Sequence, residues 1–148
     1  MNNKEKILDE ILVELFNHIL YLEEQNIQSK GINLTMNEVH TIEAIRDVED
    51  PIMSNVARKL MITLGTLTTV IKRLEHKGYV KRIRDKQDAR ILRLELSTNA
   101  TNVLKIHDGF HRNMIETILN DLNDEEEDVL LTSLVKIKEY FKSKWNRR

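Results

Sequence analysis

The residues best placed by type and spacing to do chemistry are histidines. His107 and His111 are four residues apart in a segment of helical periodicity, so both imidazoles lie on one face of that helix. With His40 and a carboxylate from Glu23 or Glu24 they could form a zinc site, because both groups are zinc ligands. They could instead hydrogen-bond to backbone or carboxylate groups, or supply polar atoms to an effector pocket. The sequence favours hydrogen bonding, and we predict no metal and no cofactor, keeping His40, His107 and His111 as candidate ligands.

Other catalytic patterns are missing from the sequence. It has no cysteine, no glycine-rich phosphate loop, and no serine set beside a suitable histidine and aspartate. The acidic run at residues 125–128 falls at the start of a predicted helix, where the helix dipole favours negative charge. The sequence therefore argues against an enzyme.

Positive charge is concentrated in the middle of the chain. Between Ser54 and Leu94 there are eleven Lys or Arg residues and three acidic ones, a formal charge of +8. The remainder carries twelve basic and twenty-one acidic residues, a formal charge of −9. Such a cluster fits a polyanion, because Lys and Arg displace counterions from nucleic-acid phosphates. On charge alone, a solvated basic surface is the alternative.

No secretion or membrane signal is visible in the sequence. Residues 1–16 alternate charged and apolar side chains and lack the apolar core of a signal peptide. No run of about 18 apolar residues occurs. We therefore expect a cytoplasmic protein that does not interact with membranes.

Hydrophobic periodicity and capping residues predict helices and one β-hairpin. Thr35, with Glu38 three residues later, is typical of a capping box, and Gly31 and Gly78 are typical of helix ends. The predicted fold class is mainly α with a small β-hairpin wing, a winged helix-turn-helix flanked by long dimerisation helices. The predicted helices lie at about 4–29, 36–48, 54–60, 64–77, 98–122 and from 124 onward, with strands at 79–83 and 91–96.

The fourth helix has the character of a DNA-reading helix. Its apolar residues recur at the spacing of one buried face, which leaves a small, polar and cationic face opposite. Short hydroxyl side chains let a helix approach base edges in the major groove, and the preceding helix would contact the backbone. In the basic hairpin, Asp88 could orient Arg90 for a narrow minor groove. The predicted DNA-binding residues are Arg58, Lys59, Thr63, Gly65, Thr66, Thr68, Thr69, Lys72, Arg73, Arg84, Lys86, Asp88 and Arg90.

Residues 60–82, followed by Asp88-x-Arg90, resemble the MarR family of regulators, and the likeness extends over the whole chain. This resemblance implies a bacterial regulator that is an obligate homodimer and is associated with the nucleoid when bound to duplex DNA. It also implies that the first, fifth and sixth helices of the two chains intertwine. It also implies a single domain, residues 1–148, with dimerisation helices at 1–33 and 98–148 and a DNA-binding lobe at 34–97. Two residues depart from the common family pattern: Ala100 stands where many members have glycine, and Ala89 stands where arginine is common in the wing. The alanine at position 89 weakens the phosphate contact expected at the wing tip.

Three shorter motifs resemble the branch of the family that represses fatty-acid synthesis genes: residues 38–42, residues 62–66 and His107-x-x-Phe110-His111-x-x-Met114. That resemblance implies long-chain acyl on acyl carrier protein as corepressor. The acidic carrier would dock near Arg58 or on the basic segment 142–148. The acyl chain would lie between the first, second and fifth helices, in an effector pocket formed by Leu15, Ile19, Leu22, Met36, Val39, His40, His107, Phe110, His111 and Met114.

Two alternatives stay open at this point. The chain could be a regulator of the same family that responds to zinc or to another small molecule. It could also be a helical dimer that binds a protein partner, with an incidental basic hairpin.

Overall fold

Residues 1–145, the part of the chain that this computed structural model describes, are mostly helical with one antiparallel hairpin, which confirms the predicted fold class. The chain divides within its fifth helix into two compact units, Met1–Asp108 and Gly109–Arg148. The assignment of residues 1–148 to one domain stays a prediction. The elements are α1 (Asn3–Ser29), α2 (Met36–Asp47), α3 (Met53–Leu60), α4 (Leu64–His76), β1 (Val80–Arg84), β2 (Leu92–Leu96), α5 (Thr98–Asn120) and α6 (Asp124–Trp145).

Most of the predicted helix-end signals are found in the structure. Gly31 and Gly78 follow the C-cap residues of α1 and α4 and adopt positive φ angles of 73° and 83°, where glycine avoids the strain that a side chain would cause. The Thr35 side chain accepts a hydrogen bond from the Glu38 amide and caps α2. The predicted capping box is incomplete, however, because the Glu38 carboxylate binds the Lys77 ammonium, 2.9 Å away, and accepts from the Thr35 hydroxyl.

The core of the first unit lies between α2, α3, α4 and the hairpin. The predicted inner face of α4 is buried as expected, with Leu67, Ile71 and Leu74 fully enclosed. Burying each of these side chains contributes roughly 1.5–3 kcal/mol of hydrophobic stabilisation. The core therefore fixes the rotation of α4, and the opposite face stays exposed.

The hairpin is joined by the segment that connects α2 to α3. Strands β1 and β2 pair antiparallel, with Val80 opposite Leu96 and Arg84 opposite Leu92. After Pro51, Ile52 forms a β-bridge with Arg93, and the Leu94 amide donates to the Pro51 carbonyl at 2.9 Å. The α2–α3 connection thus supports the outer edge of the wing.

The second unit contains the end of α5 and all of α6. Asn123 and Glu126 form a reciprocal capping box at the start of α6. Among the described residues of α6, none is buried, although the helix carries large apolar side chains such as Leu134 and Phe141. This unit therefore presents a long apolar surface. Within residues 1–145, every helix is too short or too polar to span a bilayer.

Candidate nucleic-acid interface

The outer face of α4 presents small polar side chains at its start and cations further along. Gly65, Thr66, Thr69, Lys72 and Arg73 are exposed. Thr68 is half-buried beside them, and Arg58 and Lys59 are exposed on α3. The face therefore has the chemistry that the sequence predicted, small enough at its N-terminal end for close approach to base edges.

The threonine hydroxyls of α4 are engaged with the helix itself. Thr68 and Thr69 donate to the carbonyls of Leu64 and Gly65, at 2.8 and 3.2 Å. The Thr63 oxygen accepts the Thr66 amide at 3.2 Å and shares a hydrogen bond of 2.9 Å with the Thr66 hydroxyl. These hydroxyls still have acceptor lone pairs, so they can receive hydrogen bonds from bases. Thr63, predicted to bind DNA, is also the N-cap of α4.

The wing holds Arg90 outward on a preformed turn. The Asp88 carboxylate accepts from Arg90 Nε and Nη2, at 3.1 and 3.3 Å, while the Arg90 side chain stays 91% exposed. The hydrogen bond from the Arg90 guanidinium lowers the pKa of the Asp88 carboxyl. Asp85 accepts the amides of Gln87 and Asp88, each at 3.0 Å, and Arg84 donates to the Ala89 carbonyl at 2.8 Å. The pairing of Asp88 with Arg90 that the sequence predicted is present.

Arg93 anchors the wing to the body of the first unit. Its guanidinium pairs with Asp50 in the α2–α3 connection and lies 3.4 Å from Asp85. The hydrogen bond to Asp50 raises the pKa of Arg93. In the sequence, Arg93 is only one of the eleven positive charges between Ser54 and Leu94. The signal in the sequence for an acidic partner of Arg93 was the pair Glu49 and Asp50, directly before Pro51.

A cleft beside the wing contains a residue that sequence reasoning missed. Ser54, in the first turn of α3, lines a cavity of about 160 Å3 together with Leu64 and Arg90. No side chain caps the N-terminus of α3, where Ile52 is the N-cap residue. Ser54 thus lies between the wing and the start of α4, although it carries no charge that a count could detect.

Several cations of the basic segment are occupied by acidic partners. Lys77 binds Glu38, Arg82 binds Glu75 at 2.7 Å, and Arg93 binds Asp50. A cation that is held in such an ion pair is less available to neutralise the phosphates of a polyanion. Of the cations predicted to bind DNA, only Arg90 forms a salt bridge to a carboxylate within residues 1–145. The predicted cations that form no such salt bridge are Arg58, Lys59, Lys72, Arg73, Arg84 and Lys86.

Comparison with known proteins identifies the family. The model of the MarR family matches residues 34–92. The transcriptional regulator SarZ of Staphylococcus haemolyticus is 32% identical over 105 residues, which cover 71% of this chain and 70% of that protein. A crystal structure of Streptococcus pneumoniae FabT in complex with DNA superposes with a TM-score of 0.89 at 34% identity, covering 94% of this chain and 98% of FabT.

The chain belongs to the MarR family. It is a DNA-binding transcriptional regulator with a winged-helix fold. The Staphylococcus aureus MepR–DNA complex has a TM-score of 0.77 at 18% identity, covers 89% of this chain and 96% of MepR, and shows the shared fold alone.

Away from the DNA-reading face, this MarR-family chain buries a cluster of histidines and carboxylates in its first unit. His40 Nε2 lies 2.8 Å from a Glu23 oxygen, and His107 Nε2 lies 3.0 Å from Glu43 and 3.6 Å from Glu23. Glu23 and His107 are almost fully buried, whereas the His40 side chain is 33% exposed. The hydrogen bond with His107 lowers the pKa of Glu43.

The structure brings together only some of the residues that the sequence offered as zinc ligands. His40, His107 and Glu23 meet as expected, whereas Glu24 accepts a hydrogen bond from Gln28 instead. Glu43 was missed, although it lies three residues after His40, a spacing that places both on one helix face. His111 belongs to the second unit, where its ring packs edge-on against Phe110.

The residues predicted to line an effector pocket have different surroundings. Val39 is fully buried in the core, Ile19 is half-buried, and Leu15 and Leu22 are about half exposed. A cavity of about 360 Å3 between α1 and α2 contains Met36 from the predicted set. Its other lining residues are Leu20, Tyr21, Glu24, Thr35 and Asn37. In the second unit, Phe110, His111 and Met114 are half-buried.

Proposed function

We propose that this protein is a sequence-specific repressor that binds a pseudo-palindromic operator as a homodimer. The observation that carries the proposal is the outer face of α4, small and polar at its start and cationic beyond, with an exposed arginine on the adjacent wing. In this arrangement α4 enters the major groove, where Thr66 and Thr69 approach base edges and Lys72 reaches guanine acceptors or a phosphate. Arg90 enters the neighbouring minor groove.

The other predicted DNA contacts divide between backbone and wing. Arg58 and Lys59 on α3 are placed to contact phosphates on one side of α4, and Lys86 extends from the wing tip. Phosphate contacts set position and affinity, whereas groove contacts set sequence preference. Arg84 holds the wing turn through the Ala89 carbonyl, so its proposed contribution includes the shape of the tip.

The homodimer is proposed from apolar surface in each unit. In α1, Phe16 is 64% exposed, and in α6 Leu134 and Phe141 are 49% and 59% exposed. Soluble monomers rarely leave apolar surface of this extent uncovered. A second copy of the chain would cover it and would present two copies of α4 to successive major grooves.

We expect two protomers per operator, with half-site centres about 10 base pairs apart. Multi-angle light scattering at micromolar concentration, followed by mobility-shift and footprinting assays on genomic fragments, measures both quantities. Phe141→Glu should weaken the dimer, while Tyr140→Glu, which is equally exposed on the same helix, is the matched control for added charge. A monomer that binds a single half-site tightly would contradict the proposal. Failure to select any fragment over the others would contradict the proposed sequence-specific binding.

For the signal, we propose that long-chain acyl on acyl carrier protein acts as corepressor of fatty-acid synthesis genes. The motifs at residues 38–42, 62–66 and 107–114 support this proposal, as does the 34% identity to FabT. Met36 and the half-buried Phe110 and Met114 offer flexible apolar surface that suits an acyl chain. Arg58 is exposed, but the phosphate contact proposed for it would compete with an acidic carrier in the operator-bound state. The other proposed docking segment is 142–148, of which Asn146, Arg147 and Arg148 lie outside the described residues.

A second candidate signal is a divalent metal such as zinc. The observation that favours it is the buried Glu23 carboxylate, which faces the Nε2 atoms of both His40 and His107. Imidazole nitrogens and a carboxylate oxygen form a ligand set that suits zinc. Against it, His107 Nε2 already lies 3.0 Å from the Glu43 carboxylate, so carboxylate contacts explain the position of His107 without a metal.

An operator titration separates the two signals. We expect palmitoyl-acyl carrier protein to tighten operator binding about fivefold or more, because a ligand acts through its differential affinity for two states. Unacylated carrier, zinc and a chelator should have no effect. Tightening by zinc alone, lost in His40→Gln but kept in the exposed control His18→Gln, would replace the lipid proposal with the metal. A protein that responds to none of these would contradict both proposals.

A further inference from the structure

The start of α4 carries an apolar side chain that the proposed DNA contacts do not use. Leu64 is the first residue of the helix, and its side chain is 53% exposed. The buried stripe of α4 begins only at Leu67, three residues later, so Leu64 adds little to the core. Single exposed leucines are common on protein surfaces, but this one lies at the end of the helix that enters the major groove.

The next residue, Gly65, is a glycine that the fold does not require. Its φ angle is not positive, and within residues 1–145 a Cβ at this position would have Thr63 Oγ1 as its nearest neighbour, at 4.0 Å. Glycine in a helix is less stable than alanine because it loses more backbone entropy on folding. The missing side chain therefore serves the outer surface, where it lets the start of α4 approach DNA closely. This close approach brings the neighbouring Leu64 within reach of the bases.

Leu64 lies on the side of α4 that faces the wing. It lines the same cavity of about 160 Å3 as Ser54 and Arg90. One turn further along this side, the Thr68 hydroxyl donates to the Leu64 carbonyl at 2.8 Å, so the helix itself holds this hydroxyl. The edge of α4 next to the wing is thus apolar at its leading end, whereas the adjoining face, which includes Thr66, is polar.

We propose that Leu64 is a specificity-determining residue that contacts the C5-methyl group of one thymine in each operator half-site. Of the four unmodified DNA bases, thymine alone carries a methyl group in the major groove, and apolar side chains recognise it by direct contact. The leucine side chain has no hydrogen-bonding atom, so it selects thymine by this methyl group alone. The thymine lies on the wing side of the bases that Thr66 contacts. This inference rests on the proposed operator binding.

Replacing thymine with deoxyuridine removes only the C5-methyl group and keeps every hydrogen-bonding atom of the base. Fluorescence anisotropy with the full-length protein compares operator duplexes that carry deoxyuridine at one symmetry-related pair of thymines at a time. One pair should weaken binding about 15-fold, which is about fourfold for each buried methyl group. Leu64→Ala should weaken binding to the thymine operator by a similar factor and should not distinguish thymine from deoxyuridine at that pair.

Two further variants separate methyl recognition from a general loss of apolar surface. Leu64→Met keeps an apolar side chain and should retain the preference for thymine. Met61→Ala, in the turn before α4 and also more than half exposed, is the matched control and should keep the full effect of deoxyuridine. Equal binding of all deoxyuridine operators to the wild type, or an undiminished deoxyuridine effect in Leu64→Ala, would overturn the proposal. Neither result affects the proposed operator binding, which the unsubstituted duplex tests.

Gly65→Ala tests the close approach of the helix to DNA. Because a Cβ fits within the protein, the variant should unfold at the same or a higher urea concentration than the wild type. Operator binding should nevertheless weaken at least fivefold, and the effect of deoxyuridine should shrink, because the added methyl group holds Leu64 away from the bases. Unchanged affinity together with an unchanged deoxyuridine effect would contradict the close approach on which the Leu64 contact depends.

Discussion

Replacing Arg90 with alanine is expected to weaken operator binding by roughly 1–3 kcal/mol, about 5- to 150-fold in affinity. The Arg90 guanidinium is 91% exposed and already oriented by Asp88, so it needs little reorganisation to enter the minor groove. A narrow A·T-rich groove concentrates negative potential, and the variant should therefore lose preference at the flanking positions of the operator. Fluorescence anisotropy on the operator and on flank-substituted duplexes measures both effects.

Lys86→Ala is the matched control for charge at the wing tip. Lys86 is exposed and forms no salt bridge to a carboxylate of residues 1–145. If Lys86 contacts phosphate alone, its removal should weaken binding to all DNA sequences about equally. It should also reduce the slope of log affinity against log salt concentration by about one unit. Operator affinity that is unchanged in Arg90→Ala would remove the wing from the mechanism. If both variants lose the same affinity for every DNA sequence, Arg90 contacts only phosphate.

Lys77→Met is expected to destabilise the folded protein by roughly 2–4 kcal/mol, because it leaves a buried carboxylate without its cation. Lys77 Nζ lies 2.9 and 3.1 Å from the two Glu38 oxygens and 3.1 Å from the Asn33 carbonyl. The Glu38 side chain is only 2% exposed, so water cannot readily take the place of the ammonium. Urea unfolding followed by circular dichroism measures the loss.

The controls for Lys77 separate lost charge pairing from lost packing. Lys81→Met makes the same change at an exposed position and should alter stability by less than about 0.5 kcal/mol. The double variant Glu38→Gln with Lys77→Met should recover at least half of the loss, since a neutral amide costs less to bury. A loss in Lys77→Met no greater than that in Lys81→Met would show that the pair contributes nothing to the fold.

Local signals in the sequence were sufficient for the elements and for the DNA-reading face. The spacing of Leu67, Val70, Ile71 and Leu74 determines which side of α4 is buried, because helical periodicity is a property of consecutive residues. Caps at Thr35 and Thr63 and the positive φ angle of Gly78 likewise depend on a few neighbouring residues. The contact of Asp88 with Arg90 was predictable because the two residues are two positions apart.

The sequence by itself thus determined the order of the helices, the basic wing and the exposed face of α4. Only the tertiary structure decided which charges are paired, because Lys77 meets Glu38 and Arg93 meets Asp50 across 39 and 43 positions of the chain. The same holds for Glu23, which α1 brings to His40 and His107, and for Val39, which the packing of α2 places in the core. Periodicity identifies the face of a helix on which a residue lies, whereas the partner of that face depends on how distant segments pack together.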